Sequence, residues 1–162
     1  MNKIKITGGT PLNGRVKIAG AKNAASKMII ASLLTDEKVT INNVPLQQES
    51  KIARELVELV GAKSAIDDHT FKLTTAEVTS SSVMAAGRKN RLSILLLAPL
   101  LHRTGEAHVP GPGGDRIGPR PVNFHTDALQ KMGAKIEEDD EGYHVRSEGR
   151  LNGALIELPY PS

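Results

Sequence analysis

The sequence predicts an α/β protein built from repeated βαβαββ units, and two pairs of similar segments carry this prediction. Residues 25–34 and 92–101 share a serine, an alanine and a Leu-Leu pair at matching positions. Residues 56–63 and 128–135 both end in Gly-Ala-Lys after apolar residues at helical spacing. Internal similarity of this kind marks a repeated supersecondary unit, so the same order of elements is expected twice.

The first unit follows from its apolar periodicity and its turn residues. The expected elements are a leading strand at 12–18, a buried helix at 25–34, a strand at 38–42, a helix with Ile52, Leu56, Leu59 and Val60 on its apolar face, and strands around Ile66 and Phe71. Gly61 follows the second helix, where a helix C-terminus favours a residue in the left-handed conformation.

The second unit is predicted in the same order, with Gly133 in the place of Gly61. Its expected elements are a buried helix at 92–101, a strand at 106–109, a helix with Val122, His125, Leu129 and Met132 on one face, and strands around Ile136 and 143–145. Residues 151–157 repeat the Leu-Asn-Gly of the first leading strand and would begin a third unit. Because the chain stops where the next helix should start, we interpret it as a fragment. The alternative is a two-unit protein with a strand-like tail.

Composition excludes several classes of protein. There is no cysteine, so neither a disulfide framework nor a thiolate metal site is available. No apolar run approaches the roughly 20 residues of a membrane helix, and residues 1–9 do not resemble a signal peptide. These features favour the cytoplasm. The five histidines have no spacing typical of zinc ligands, so no metal site is expected.

The small positive net charge is compatible with an anionic ligand but does not require one. The net charge is +3 and the pI is near 9.2. The four aromatic residues are scattered and do not form an RNA-stacking motif, so we expect neither a nucleic-acid partner nor a membrane partner.

Three segments carry candidate chemistry. Residues 19–25 form a turn into a helix, where Lys22 would add charge to a helix N-terminus that favours anions. Residues 86–93 place three cations, among them Arg91, ahead of the equivalent helix of the second unit. Residues 110–121 form a Gly/Pro-rich loop with Asp115 and Arg120, which suits a lid over an anionic substrate. The alternatives are a solvated lysine, a solvated basic face and a plain surface loop.

These motifs resemble the UDP-N-acetylglucosamine 1-carboxyvinyltransferases, a family of enolpyruvyl transferases, and the chain resembles an N-terminal fragment of such an enzyme. The resemblance runs along essentially all 162 residues. It is carried by the motifs Gly-Ala-Lys-Asn-Ala-Ala at 20–25, Arg-Leu-Ser at 91–93, Gly-Gly-Asp-Arg-Ile-Gly at 113–118 and Arg-Pro-Val at 120–122.

The resemblance implies a fold and a reaction. The fold would be an inverted α/β barrel of two lobes, each made of three βαβαββ units. Residues 1–21 would be strands of the second lobe, and residues 22–162 would be an incomplete first lobe. The implied reaction transfers the enolpyruvyl group of phosphoenolpyruvate to the 3-hydroxyl of UDP-N-acetylglucosamine and releases phosphate, the first committed step of peptidoglycan synthesis. It needs no cofactor, and the full-length enzyme is expected to be a monomer.

The resemblance also implies residue roles. Asp115 would be the general acid on the lid. Lys22, Asn23 and Arg120 would hold phosphoenolpyruvate. The residues implied to bind the UDP-sugar are Asn23, Arg91, Arg120, Pro121, Val122, Asn123, Phe124 and Ser162. The base would be an aspartate in the half of the enzyme that this chain does not contain.

Three positions depart from the usual pattern of the family. Asp115 stands where most members have cysteine and some have aspartate, Asn123 stands where an aspartate is usual, and Tyr160 replaces a residue that is often lysine. Two other functions remain open: a shikimate-type enolpyruvyl transferase, and a stand-alone βαβαββ module that binds without catalysis.

Overall fold

The computed structural model describes residues 3–113 and 121–160, except for the side chains of Arg88 and Lys89. Asp115, Arg120 and Ser162 therefore lie outside the described residues.

Two successive units carry the same order of helices and strands. The first contains α1 (Lys22–Ala31), a 3-10 turn (Ser32–Leu34), β1 (Val39–Ile41), α2 (Gln48–Leu59), β2 (Lys63–Asp67) and β3 (Thr70–Thr74). The second contains 3-10 segments (Met84–Lys89 and Leu92–Leu96), α3 (Leu97–Thr104), β4 (Glu106–Pro110), α4 (Asn123–Lys131), β5 (Lys135–Glu138) and β6 (Gly142–Arg146).

Each unit builds a three-stranded antiparallel sheet with its third strand in the middle. The strand orders are β1-β3-β2 and β4-β6-β5. In the first sheet Phe71 lies opposite both Ile41 and Ile66, and in the second Val145 lies opposite both Ala107 and Ile136. The mixed α/β class and the repeat expected from the sequence are confirmed.

The second helix of each unit ends in the same way. Gly61 and Gly133 have φ of 105° and 101°. In each case the glycine and the following alanine donate their N–H groups back to two carbonyls of the helix's last turn, at 2.9–3.1 Å. This is the Schellman motif, which gives hydrogen-bond donors to carbonyls that have no partner within the helix at its C-terminus. The predicted glycine role is confirmed at both positions.

The leading strand of the first unit is not formed. Residues 3–21 carry no strand, and the apolar side chains of Val16 and Ile18 are 83% and 77% exposed. Residues 151–158 carry none either. A strand exists only by pairing, and these segments have no partner strand among the described residues. The assignment of residues 1–21 to a second lobe stays a prediction.

The first helix of the second unit differs from the prediction as well. Residues 92–96 form a 3-10 helix, and the α-helix begins only at Leu97. Pro99 explains the shift. A proline is tolerated in the first turn of an α-helix, but farther inside it would remove a hydrogen bond and clash with the carbonyl of Leu95.

The apolar face predicted for the second helix of the first unit is correct at three of its four residues. Leu56 and Val60 are buried, Ile52 is partly buried against the core, and Ala53 and Val57 are buried as well. Leu59 was placed on that face wrongly, because it is 45% exposed at the last residue of the helix.

One contiguous core joins the two units. Its fully buried members include Ile29, Leu33, Phe71, Leu96 and Leu100. Arg103 of α3 links the two units at the edge of the core, because its guanidinium donates hydrogen bonds to Leu33 O at 3.0 Å and to Thr75 O at 3.1 Å. Within the described ranges, no helix is both long and apolar enough to cross a bilayer.

Candidate active site

A cleft of about 650 Å³ opens where the helical starts of the two units converge. Its walls come from the first turns of α1 and α2, the 3-10 segment at 92–96 and the chain leading into α4. The lining residues are Lys22, Asn23, Lys27, Gln47, Gln48, Glu49, Ile52, Asn90, Arg91, Leu92, Ile94, Leu95, Pro121, Val122 and His125.

The start of α1 gives this cleft donors for an anion. The helix begins at Lys22, and Ala21 before it makes no side-chain cap bond. N–H groups of a first turn lack partners within their helix and favour negative charge. Gly20 makes the approach to the helix possible, since a Cβ there would lie 2.0 Å from Asn43 O. A residue with a side chain could not take the place of Gly20 without moving the turn away from Asn43.

Glu49 of α2 is the counterion of this cationic end. Its Oε2 lies 2.8 Å from Lys22 Nζ, and its Oε1 accepts a hydrogen bond from Ser26 Oγ at 3.0 Å and lies 4.0 Å from Lys27 Nζ. Burial alone raises the pKa of Glu49, but the hydrogen bonds and the two ammonium charges together outweigh it and lower the pKa. Glu49 is therefore ionised at neutral pH and neutralises part of the cleft's charge.

The second unit contributes Arg91 and His125 to the cleft. Arg91 Nη2 lies 3.5 Å from Pro121 O, a long contact that joins the 3-10 segment to the chain before α4. Partial desolvation lowers the pKa of His125, and the positive charges of Arg91 and Lys27 lower it further. This shift favours the neutral imidazole in a cleft that already contains three cationic side chains.

The structure brings together five of the predicted site residues and separates two others. Lys22, Asn23, Arg91, Pro121 and Val122 all line the cleft.

Asn123 and Phe124 are not among its lining residues. Asn123 Nδ2 contacts Asp127 Oδ2 at 3.5 Å, and the Phe124 ring packs on Tyr160 with centroids 5.0 Å apart. Phe124 borders a second cavity of about 310 Å³ between α4 and residues 156–159.

Sequence reasoning missed Glu49 and His125 as cleft residues. His125 was assigned only to the apolar face of its helix, and its periodic position carried no sign of the neighbouring charges. Glu49 is 27 residues from Lys22, and only the packing of α2 against α1 makes them neighbours. No local pattern could have found this pair.

The chemistry available in the cleft is anion binding with electrostatic neutralisation. Lysine and arginine provide charge-assisted donors to phosphate or carboxylate groups, and Asn23 adds an amide. Among the described residues, no group of three or more histidine or carboxylate side chains is placed to hold a metal ion.

Comparison with known proteins adds a family and a fold. The profile of the family described as EPSP synthase (3-phosphoshikimate 1-carboxyvinyltransferase) matches residues 6–162. The chain is 43% identical over 155 residues to a UDP-N-acetylglucosamine 1-carboxyvinyltransferase of Chlamydia pneumoniae, covering 93% of the chain and 34% of the relative. It is 44% identical over 165 residues to the protein of that name from Jannaschia sp. (strain CCS1), covering 100% of the chain and 39% of the relative.

Solved structures agree on the fold. The enolpyruvyl transferase NikO from Streptomyces tendae matches with a TM-score of 0.71 at 21% identity, covering 90% of this chain and 32% of that one. An EPSP synthase from Acinetobacter baumannii matches with a TM-score of 0.67 at 14% identity, covering 92% and 35%. The chain spans 34–39% of the length of the two carboxyvinyltransferases from Chlamydia pneumoniae and Jannaschia sp..

Proposed function

Because this chain belongs to the EPSP synthase (3-phosphoshikimate 1-carboxyvinyltransferase) family, we propose that it is part of an enolpyruvyl transferase. The acceptor in this proposal is the 3-hydroxyl of UDP-N-acetylglucosamine, the donor is phosphoenolpyruvate, and phosphate is released. The observation that carries the proposal is the cleft in which Lys22, Asn23 and Arg91 converge.

The charges of the cleft support phosphoenolpyruvate as the donor. Its phosphate and carboxylate are both anionic, and Lys22 at the start of α1 offers an ammonium and helix N–H groups together. In this proposal the incoming anion competes with Glu49 for Lys22.

The acceptor is proposed from the relatives. Those at 43% and 44% identity carry the name UDP-N-acetylglucosamine 1-carboxyvinyltransferase. Arg91, Pro121 and Val122, three of the residues proposed to bind the sugar nucleotide, line the same cleft as Lys22. Arg120, Asn123, Phe124 and Ser162 keep their proposed sugar-binding roles on the resemblance alone.

In the proposed reaction, Asp115 protonates the vinyl CH₂ carbon of phosphoenolpyruvate. The adjacent carbon becomes oxocarbenium-like, and the sugar 3-hydroxyl attacks it as a base removes the hydroxyl proton. Loss of phosphate, and of a proton from the new methyl group, restores the vinyl group on the sugar. An acid at Asp115 must be protonated to act, so its pKa would have to be raised, as closure over the substrate would do.

The base in this proposal lies in a further lobe, and residues 1–21 would pair with that lobe. We therefore expect residues 1–162 alone to give no enolpyruvyl transfer, because in this proposal the base and the surface that excludes water belong to the further lobe. We also propose that the longer enzyme is a monomer and acts in the cytoplasm.

A shikimate-type transferase is the second candidate, since the family's description is of 3-phosphoshikimate 1-carboxyvinyltransferase. The decisive measurement is phosphate release by the longer protein that carries these residues, with phosphoenolpyruvate and either UDP-N-acetylglucosamine or shikimate 3-phosphate. We expect turnover with the UDP-sugar only. Turnover with shikimate 3-phosphate alone would replace the first candidate by the second, and turnover with neither would refute both.

A matched pair of variants ties the activity to the cleft. Lys22→Ala should abolish most of the turnover, whereas Lys72→Ala, at an exposed position of β3, should leave it unchanged.

A further inference from the structure

Glu49 of α2 has a second cation within reach besides Lys22. Its two carboxylate oxygens have different partners. Oε2 lies 2.8 Å from Lys22 Nζ, whereas Oε1 lies 4.0 Å from Lys27 Nζ and accepts a hydrogen bond from Ser26 Oγ at 3.0 Å. Both lysines and Glu49 line the cleft. The carboxylate is thus paired closely with one ammonium group and loosely with another.

Ser26 holds the carboxylate oxygen that faces Lys27. This serine is completely buried in α1, and its hydroxyl oxygen also accepts a long contact of 3.5 Å from Lys27 Nζ. The hydroxyl lies 3.4 and 3.5 Å from two backbone carbonyls of its own helix, but its shortest contact is to Glu49. A charged acceptor also makes the stronger hydrogen bond. Glu49 Oε1 is therefore held beside Lys27 by a contact that does not involve Lys22.

An anion that binds Lys22 weakens the ion pair between Lys22 and Glu49. The ammonium group has three N–H donors on a flexible, half-exposed side chain, so it can turn toward a phosphate. The Glu49 side chain is only 22% exposed, and a carboxylate that is shielded from water needs a partner. Anion binding at Lys22 therefore costs less if another cation approaches Glu49 at the same time.

Lys27 is placed to make that approach by a side-chain movement alone. Its side chain is half-exposed and flexible. A close ammonium–carboxylate contact is about 2.7–2.9 Å long, so Lys27 Nζ needs to approach Glu49 Oε1 by roughly an ångström.

We propose that Lys27 is a positioning residue of the cleft, which takes over Glu49 when an anion engages Lys22, while Ser26 holds the carboxylate in place for the exchange. The inference rests on the proposed function, in which that anion is phosphoenolpyruvate. It gives the two lysines of α1 different roles, since Lys22 contacts the anion and Lys27 compensates Glu49. A compensated Glu49 repels the bound anion less.

The exchange can be tested on residues 1–162 without a ligand, because Lys22→Ala removes the close partner of Glu49 permanently. The measurement is the pH titration of the Glu49 carboxyl carbon by ¹³C NMR, assigned with Glu49→Gln. Removing a nearby cation raises the pKa of a carboxyl group. Lys27→Gln should raise the Glu49 midpoint more in the Lys22→Ala background than in the parent, since Lys27 lies closer to the carboxylate there.

Equal shifts in the two backgrounds would overturn the exchange, because Lys27 would then act on Glu49 from one fixed distance. The matched control is Lys51→Gln, at an exposed lysine of α2 that does not line the cleft. It should shift the midpoint equally in both backgrounds, and an excess as large as that of Lys27→Gln would also overturn the proposal. Ser26→Ala should reduce the excess, and an unreduced excess would contradict the role given to Ser26.

The consequence for the reaction is measured in the longer protein that carries these residues. Lys27→Gln should raise KM for phosphoenolpyruvate by roughly two- to fivefold, the size expected for an exposed ion pair, with kcat and KM for the acceptor nearly unchanged. Lys27→Arg should restore the parent value. In a Glu49→Gln background Lys27→Gln should have no effect. A loss that persists there would mean that Lys27 binds the anion directly, and would overturn the proposal.

The two measurements separate a failure of the exchange from a failure of the proposed function. If the longer protein turns over neither acceptor, the proposed function is wrong, and the Glu49 midpoints of residues 1–162 still decide whether Lys27 takes over the carboxylate. Turnover with the UDP-sugar, together with equal midpoint shifts in the two backgrounds, would refute the exchange alone.

Discussion

Replacing Lys22 by alanine does two things to the proposed phosphoenolpyruvate site. It removes the ammonium at the start of α1, and it leaves Glu49 in the cleft with Lys27 at 4.0 Å as its remaining ion-pair partner. The variant therefore loses an attraction and gains a repulsion. Lys22→Ala should weaken phosphoenolpyruvate more than it weakens the UDP-sugar, whose proposed contacts lie mainly at Arg91 and residues 120–124.

The size of each part follows from the geometry. A charge-assisted hydrogen bond contributes about 1.5–3 kcal/mol, or roughly tenfold to a hundredfold in affinity. A phosphate oxygen about 2.8 Å from Nζ would lie within about 5.6 Å of Glu49 Oε2. Two unit charges at that distance interact by about 0.7–3 kcal/mol for an effective dielectric constant between 80 and 20. Lys22 is 53% exposed, so solvent screening places the repulsion near the lower end, roughly threefold in affinity.

Comparing Lys22→Ala with the double variant Lys22→Ala/Glu49→Gln separates the lost attraction from the added repulsion. Calorimetric titration of the longer enzyme with phosphoenolpyruvate should rank the parent above Lys22→Ala/Glu49→Gln, and the double variant about threefold above Lys22→Ala. UDP-N-acetylglucosamine should change little across the set. Equal losses for both ligands would mean that Lys22 is structural, and no recovery in the double variant would refute the role given to Glu49.

Three further predictions concern the described cap and cleft residues and the lid. Because burial and two cations lower the pKa of His125, the unfolded chain binds more protons than the folded one below the ordinary value of 6.5. Stability should thus fall as pH drops through that value in urea unfolding, and His125→Gln should flatten the dependence; an unaltered slope would contradict it. Gly61→Ala should destabilise more than its repeat counterpart Gly133→Ala, since both replace a positive φ at about 1–2 kcal/mol but a Cβ at Gly61 would also lie 2.9 Å from a backbone oxygen. Equal urea midpoints would refute the difference. For the lid, we expect the longer enzyme to resist alkylation by the epoxide fosfomycin, because a protonated carboxylic acid at Asp115 is a far poorer nucleophile than a thiolate, and we expect Asp115→Cys to be labelled. Intact-mass spectrometry after incubation with fosfomycin is the test, and a covalent adduct on the unaltered enzyme would contradict the prediction.

Much of the fold could be predicted because local patterns specified it. Among the described residues, the helices, the six strands and the two glycine caps follow from apolar spacing and from the need for a left-handed residue after each second helix. The predictions failed where the local pattern was not sufficient. The α-helix predicted from residue 92 begins only at Leu97, because Pro99 must lie in its first turn, and the apolar alternation at 12–18 formed no strand because a strand also needs a partner strand.

The candidate site, like the fold, could be predicted from the sequence only in part. The sequence by itself determined which segments carry positive charge at helix starts, since Lys22 and the three cations at 88–91 precede equivalent helices of the repeat, and it indicated the family through its motifs. Only the tertiary structure decided that Glu49 lies against Lys22, and that Arg91 and Lys27 lie near enough to His125 to lower its pKa. The physical reason is that charges interact through space over a few ångströms, and residues 27 positions apart reach that distance only when helices pack against each other.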